Sequence, residues 1–416
     1  MTVTWRRFLP GSGAAGGRAG VWLRRLAILV GGVLVGLLAA EGGARLQAVG
    51  EGEDLLFRAP GGALRGMYQP DETLLTTPVP GFAGSVSVPG RSVRVAIDER
   101  GLRATKARSG PVWLALGDSF TLSVQVDAED TFEALLSDKL GVQVLNSGVD
   151  GYSTWQATER WRRLEPVVDA KVALLTYFLG NDLTDNEVFP HLQQAQRGRA
   201  PGVGGPAGPP PGGGASGPGG PSGPGGPLPP QRPLDEAGGL GLIEGMLFRH
   251  SRLYAYVRVA QARVKLQSNV DPEAQKFKGE LVVFTSVGTS RLAQLIERSS
   301  APLAQLRDLT VASGDHLLVT IAPPSFGVDP ARATGTLSAF GLLDAGATAT
   351  VDAPARRLTE LLDRLGIAAC DLTPALTAAE AAGRAPYLRF DGHWSEAGHK
   401  VVADAIASCV AVRGWD

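Results

Sequence analysis

The chain carries almost no net charge. Forty Lys and Arg stand against 41 Asp and Glu, a balance of -1 over 416 residues. A nucleic-acid binder needs a basic surface to displace counterions from phosphates, so no nucleic-acid partner is expected. Cysteine is nearly absent, with only Cys370 and Cys409 present. Two thiols build neither a disulfide framework nor a multi-cysteine metal cluster. Asp391, His393 and His399 fall close together in sequence, but no further strong ligand is nearby. A metal site needs a fuller ligand set, so neither a metal nor another cofactor is expected. Internal repeats are also absent.

Glycine and proline are plentiful, at 55 and 29 residues. They concentrate in residues 201–230, where 24 of the positions are Gly or Pro. Such a stretch can neither bury a core nor hold a helix, so residues 198–234 read as a disordered insertion.

The N-terminus reads as a membrane address. Arg6, Arg7, Arg18, Arg24 and Arg25 precede an uncharged apolar run, Leu26–Ala40. Basic residues before such a run hold the N-terminus in the cytoplasm and send the rest of the chain across the bilayer. Leu38-Ala39-Ala40 makes a poor cleavage site, so an uncleaved anchor over residues 21–45 is expected rather than a removed signal. Residues 1–20 then stay cytoplasmic. The body of the protein is expected outside the cytoplasm, in a periplasm or at the cell surface. That compartment permits disulfides, and Cys370 and Cys409 either pair there or remain buried thiols.

Residues 46–110 carry Gly/Pro turns and an alternating strand near Ser92–Ile97, and read as an extension packing on the main domain. From residue 111 to 416, strands alternate with helices. Val112–Leu116, Gln143–Leu145, Val172–Phe178, His316–Ile321 and Ile367–Cys370 are short apolar runs, as strands buried on both faces require. Helical patterns cover Thr131–Lys139, Gln156–Leu164, Gly239–Leu266, Ser290–Ser313, Pro354–Leu365 and Ser395–Val410. This alternation predicts a parallel sheet with helices on both faces.

In open parallel sheets the functional site lies beyond the carboxyl ends of the strands. Four of those ends carry chemistry. The first strand ends in Gly117-Asp118-Ser119, where a tight turn can hold a hydroxyl exposed. The second ends in Asn146-Ser147-Gly148-Val149-Asp150-Gly151, whose glycines can turn an N–H toward an anion. The third ends in Gly180-Asn181-Asp182, where the Asn amide can donate to a developing oxyanion. Near the C-terminus, Asp391-Gly392-His393 can supply a general base and its orienter. Taken singly, each has an ordinary explanation as a helix cap or an Asx turn. Together they are the parts of acyl transfer through a tetrahedral intermediate.

In this order the four blocks resemble those of the SGNH (GDSL-type) hydrolases, over about residues 111–410. The resemblance implies a flavodoxin-like three-layer α/β/α sandwich around a central parallel sheet. It implies Ser119 as nucleophile, His393 as base and Asp391 as its partner. The oxyanion hole would be the Ser119 N–H, the Gly151 N–H and the Asn181 amide. Gly151 is preferred to Gly148 because small polar residues follow it. One departure is the single residue between Asp391 and His393, where many members have two. That spacing is similar to the one in SGNH-like polysaccharide O-acetyltransferases.

The expected function is a membrane-anchored serine ester hydrolase acting on a small-molecule or glycan ester. The alternatives are an O-acyltransferase or deacetylase of envelope polysaccharide, and a non-catalytic scaffold on the same fold. Phe189, Phe326 and Phe340 either line an acyl slot or belong to the core.

Overall fold

The structure, a computed structural model, describes residues 16–46, 66–88, 91–197, 251, 253–254, 279–388 and 392–414. The insertion expected at 198–234, most of the helix expected at 239–266, and Asp391 lie outside the described residues. The chain divides into two compact units. One comprises Met1–Glu53 with Ala237–Gln261, and the other Asp54–Glu236 with Ala262–Asp416.

The smaller unit holds one long helix, α1 (Gly16–Leu46). Its Glu41 carboxylate accepts from the Ser251 hydroxyl at 2.8 Å and the Leu253 N–H at 3.0 Å. Among the described residues no helix is long and apolar enough to cross a membrane. The uncharged run Leu26–Ala40 extends about 22 Å at 1.5 Å per residue, short of a hydrocarbon core about 30 Å thick. The structure therefore does not support the spanning segment expected at 21–45.

The larger unit is built on five parallel strands: β5 (Val112–Leu116), β6 (Gln143–Asn146), β7 (Ala170–Phe178), β8 (His316–Ala322) and β9 (Ala368–Asp371). Their spatial order is β6-β5-β7-β8-β9. Counted within the sheet, this is the flavodoxin-type order, whose topological switch falls between β5 and β7. The strands are apolar on both faces because helices cover both. Leu114 and Leu116 of β5 join Leu175 and Tyr177 of β7 in one core. That core is closed by α4 (Thr154–Val168), α6 (Thr289–Ser313) and α8 (Ala353–Leu365) through Trp161, Leu303 and Leu358. Trp113 and Ala115 point the other way. They meet α3 (Phe132–Leu140), α9 (Thr373–Ala381) and α10 (Glu396–Ala411) through Phe132, Leu376 and Ile406. The period of two along β5 thus sorts its side chains into two layers.

Three further helices complete the unit: α2 (Ser119–Leu122), α5 (Asp182–Arg197) and α7 (Pro330–Ala339). Two antiparallel hairpins precede the sheet, β1 (Tyr68–Asp71) with β2 (Leu75–Pro78) and β3 (Ala83–Val88) with β4 (Arg91–Ala96). They grip the main domain by specific bonds. The Gln156 amide donates to the Leu74 carbonyl at 2.8 Å, and the Tyr152 hydroxyl to that of Thr76 at 2.5 Å. Met67, Val86, Val93 and Val95 pack against Leu122 and Val124, just beyond Ser119.

Cys370 and Cys409 form a disulfide across 39 residues, tying β9 to α10. Of the two readings left open for these thiols, the structure has the paired one. Phe326 is buried edge-on against Phe284, and Phe340 packs on the same core, so both are core residues. Phe189 lines a cleft of about 330 Å³ with Trp155 and Gln193, along α4 and α5.

Candidate active site

Ser119 and His393 lie 274 residues apart in sequence, yet Ser119 Oγ and His393 Nε2 are 2.8 Å apart. Local packing explains the convergence. Gly117 leaves β5 with φ of +146°, and a Cβ there would lie 2.4 Å from Thr121 Oγ1 and 2.9 Å from the Thr176 carbonyl oxygen. Only glycine turns the chain this tightly, and the turn delivers Ser119 at the first position of α2. Asp118 caps α2, accepting from the Phe120 N–H at 2.9 Å. Phe120 lies between two ring systems, stacked on Phe178 at 3.9 Å and tilted on the His393 imidazole at 4.8 Å. Trp394 meets Phe120 edge-on at 5.0 Å. The His393 loop is closed by the Leu388 N–H, which donates to the His393 carbonyl at 2.8 Å, and by Gly392 at φ of +77°.

His399 belongs to the core instead. It is buried, stacked on Phe132, and its Nδ1 accepts the Phe132 N–H at 3.1 Å. Burial pushes its pKa down to about 3, with Arg103 and His393 adding to the effect, so it is neutral and caps α3.

The two glycines after β6 have different tasks. A Cβ on Gly148 would lie 2.3 Å from the Leu122 nitrogen, and its N–H donates to Asn146 Oδ1 at 3.0 Å. Gly148 is therefore a packing residue that lets the loop lie on α2. Gly151 has φ of +69°, is exposed, and has no atom within 4 Å of a Cβ position. Its backbone conformation, and not contact, is what selects glycine there.

Asn181 sits at the carboxyl end of β7, and its Nδ2 donates to Asp185 Oδ2 at 2.8 Å. Two buried carboxyls, Asp118 and Asp182, and the half-buried Asp185 interact beside it. Burial raises Asp118 to about 6, against the opposing pull of the Phe120 N–H and of His393. Burial and the neighbouring Asp118 raise Asp185 to about 7. Asp182, whose Oδ2 accepts the Phe178 N–H at 2.7 Å, is pushed well above the usual carboxylate range by burial and by both neighbours. Carboxyls this close and this dry do not all ionise together, so the cluster retains protons near neutral pH. Asp391, expected as the partner of His393, lies outside the described residues. Among the described residues no group of His, Cys, Asp and Glu could hold a metal ion.

Sequence reading missed Asp185, which touches the Asn181 amide, and Arg103, which reaches α2 from before the sheet. A carboxylate one helical turn after the Asn was the available signal for Asp185. Arg103 left none, because nothing local marks a side chain that bridges two distant segments.

The Ser119 hydroxyl thus stands on a sharp strand-to-helix turn against the His393 imidazole, at the switch point of a flavodoxin-order sheet. Residues 284–414 match a family described as SGNH hydrolase-like domain, acetyltransferase AlgX. That match covers the C-terminal third of the chain, which is similar to the SGNH hydrolase-like proteins. It is similar in structure to Axe2, an acetylxylan esterase from Geobacillus stearothermophilus, with a TM-score of 0.35, 12% identity, and coverage of 74% of this chain and 96% of that one. A lipolytic protein of the G-D-S-L family from Desulfitobacterium hafniense gives 0.33 and 11%, over 72% and 99%. LAE5, a hydrolase from the Lake Arreo metagenome, gives 0.32 and 12%, over 73% and 97%. Among curated proteins no sequence matches this chain. An SGNH hydrolase-like domain supports ester hydrolysis or acyl transfer.

Proposed function

We propose that the protein is a serine ester hydrolase that works through an acyl-enzyme, with Ser119 as nucleophile and His393 as general base. The observation that carries this reading is the 2.8 Å contact between Ser119 Oγ and His393 Nε2. His393 takes the hydroxyl proton as Ser119 Oγ bonds to the ester carbonyl carbon. The resulting oxyanion is held by the Ser119 N–H, the Gly151 N–H and the Asn181 amide. The tetrahedral species collapses, the C–O bond to the alcohol breaks, and His393 returns the proton to the leaving oxygen. Water, deprotonated by His393, then releases the acid. Asp391 orients the imidazole in this scheme. The occupied Gly148 N–H supports giving the backbone donor role to Gly151. The substrate is a small-molecule or glycan ester.

A second reading, O-acyl transfer to a glycan hydroxyl, has its own support in the acetyltransferase description of the matched family and in the Asp391-Gly392-His393 spacing. We propose from the sequence that the active domain lies outside the cytoplasm, with residues 21–45 as its membrane anchor, although no described helix is long and apolar enough to span by itself. The disulfide supports that compartment, and the arginines before Leu26 support the orientation. For the anchor to span, Arg24 and Arg25 must snorkel to the headgroups.

The test is pre-steady-state hydrolysis of p-nitrophenyl acetate by the full chain and by Ser119→Ala. A burst in the native protein alone, followed by turnover, is the hydrolase result. A burst without turnover that a glycan acceptor relieves is the transferase result. No burst with acetyl or longer esters would leave the scaffold role.

A further inference from the structure

The nucleophile stands on a helix that cannot hold itself. A four-residue helix is all terminus, and isolated single turns are unstable in water because nucleation outweighs their one or two bonds. The carbonyls of α2 must therefore find partners elsewhere, and each does. The Ser119 carbonyl accepts the Ser123 N–H at 2.8 Å, and that of Phe120 accepts the Ser123 hydroxyl at 2.7 Å. The Thr121 carbonyl accepts the Asn146 amide at 2.5 Å. The Leu122 carbonyl accepts Arg103 Nη1 at 2.8 Å. The same guanidinium continues along the chain, with Nη1 to the Ser123 carbonyl and Nη2 to that of Val126, both at 2.5 Å. One side chain thus binds three carbonyls of the segment after the nucleophile, including Ser123, which is held in the left-handed region at φ of +56°.

Arg103 is 3% exposed and belongs to the segment before the sheet. Its own backbone N–H donates to the Asn146 carbonyl at 3.0 Å, which fixes its position at the end of β6. Asn146 in turn donates to Glu133 Oε1 at 3.0 Å, and Glu133 is wholly buried. Arg103, Asn146 and Glu133 form one buried network that joins the pre-sheet segment, β6 and α3 to the back of α2. A planar cation with five donors in a fixed fork suits a row of carbonyls, and lysine does not. A cation at the carboxyl end of a helix is also favoured by the peptide dipoles.

We infer that Arg103 is a positioning residue for Ser119. It clamps the carbonyl end of α2 and the residues after it, so the segment before β5 is part of the reaction apparatus and not only a covering layer. The inference rests on the proposed role of Ser119, and it deepens that role.

The experiment compares the full chain with Arg103→Lys and Arg103→Ala by two readouts. The first is acylation by p-nitrophenyl acetate, resolved into the burst rate and KM. The second is amide hydrogen exchange, read by mass spectrometry over residues 119–126 and over β7. Arg103→Ala should slow acylation at least thirtyfold with KM within about twofold. It should lose protection over 119–126 and keep it over β7. Arg103→Lys should recover part of the rate, having one donor group where the fork had two. Wild-type acylation and wild-type protection in folded Arg103→Ala would overturn the inference. Loss of protection across β7 in both variants would also overturn it, by making Arg103 a general core residue. If the native chain itself shows no acylation, the ester reading has failed, and exchange over 119–126 alone decides whether Arg103 clamps α2.

Discussion

The disulfide offers a prediction whose size is set by chain length. Cys370 and Cys409 close a loop of 39 residues between β9 and α10. The chain-entropy relation gives about 13 cal/mol/K for that loop, or about 4 kcal/mol at 25 °C. Cys370→Ala with Cys409→Ala should therefore lower the melting temperature of the α/β unit by about 5–8 °C, since about 2.1 cal/mol/K of unfolding entropy per residue gives about 1.5–2 °C per kcal/mol for a unit of this size. The site should be spared at 25 °C. Cys409 lies 13 residues beyond Glu396, which places it about 20 Å along α10 from the His393 end of that helix. Scanning calorimetry of the full chain, with and without a reductant, measures the effect. Reduced native protein should melt with the variant, and the burst rate of the folded variant should match the native rate at 25 °C. A shift below about 2 °C, or burst activity lost while the unit is still folded, would refute the reasoning.

Three further outcomes are expected. Asn181→Ala should fold and lose about 10²–10³ in turnover, as removal of one oxyanion donor does; near-native turnover in a burst assay would remove it from the oxyanion hole. Glu133 is raised from 4.5 to about 8 by burial, so its ionisation costs the folded state. Its contribution to stability is full below pH 4.5 and lost as pH rises through about 8. Glu133→Gln should accordingly gain stability over the native protein between those limits, read by urea unfolding at pH 5 and pH 9, and a constant difference would contradict this. Gly148→Ala should destabilise by about 1–3 kcal/mol, because its Cβ would meet the Leu122 nitrogen at 2.3 Å and backbone cannot yield as a side-chain tip does. Thermal melts beside Gly151→Ala, which meets no atom within 4 Å, separate steric from conformational cost.

The sheet was readable because its strands are buried on both faces and so appear as unbroken apolar runs, as in Val112–Leu116 and Val172–Phe178. The two hairpins before it were harder. β3 and β4 alternate polar with apolar residues, but β1 and β2 do not, because they carry polar and proline residues on half-exposed edges. Helix α5 was hidden by its position. It begins at Asp182, directly after a motif that reads as a loop, and Pro190 inside it resembles a stop signal. Within the candidate site, strand-end loops pointed to Ser119, Gly151 and Asn181, since site residues on an open sheet fall where strands end, while His393 lies in the loop between α9 and α10 and was suggested only by its spacing from Asp391. The groups that hold them were not legible. The Arg103 bonds cross 19 to 23 residues and the Asn146 bond to Glu133 crosses 13, and neither spacing matches any local period.

The most direct test of the central claim is the mass of the trapped intermediate. The full chain, mixed with p-nitrophenyl acetate and quenched in acid within the burst, is digested and mapped. One acetyl group is expected, on the hydroxyl of Ser119, absent from Ser119→Ala and greatly reduced in His393→Ala. An acetyl group on another residue, or ester turnover that survives in Ser119→Ala, would contradict the assignment of Ser119 as nucleophile.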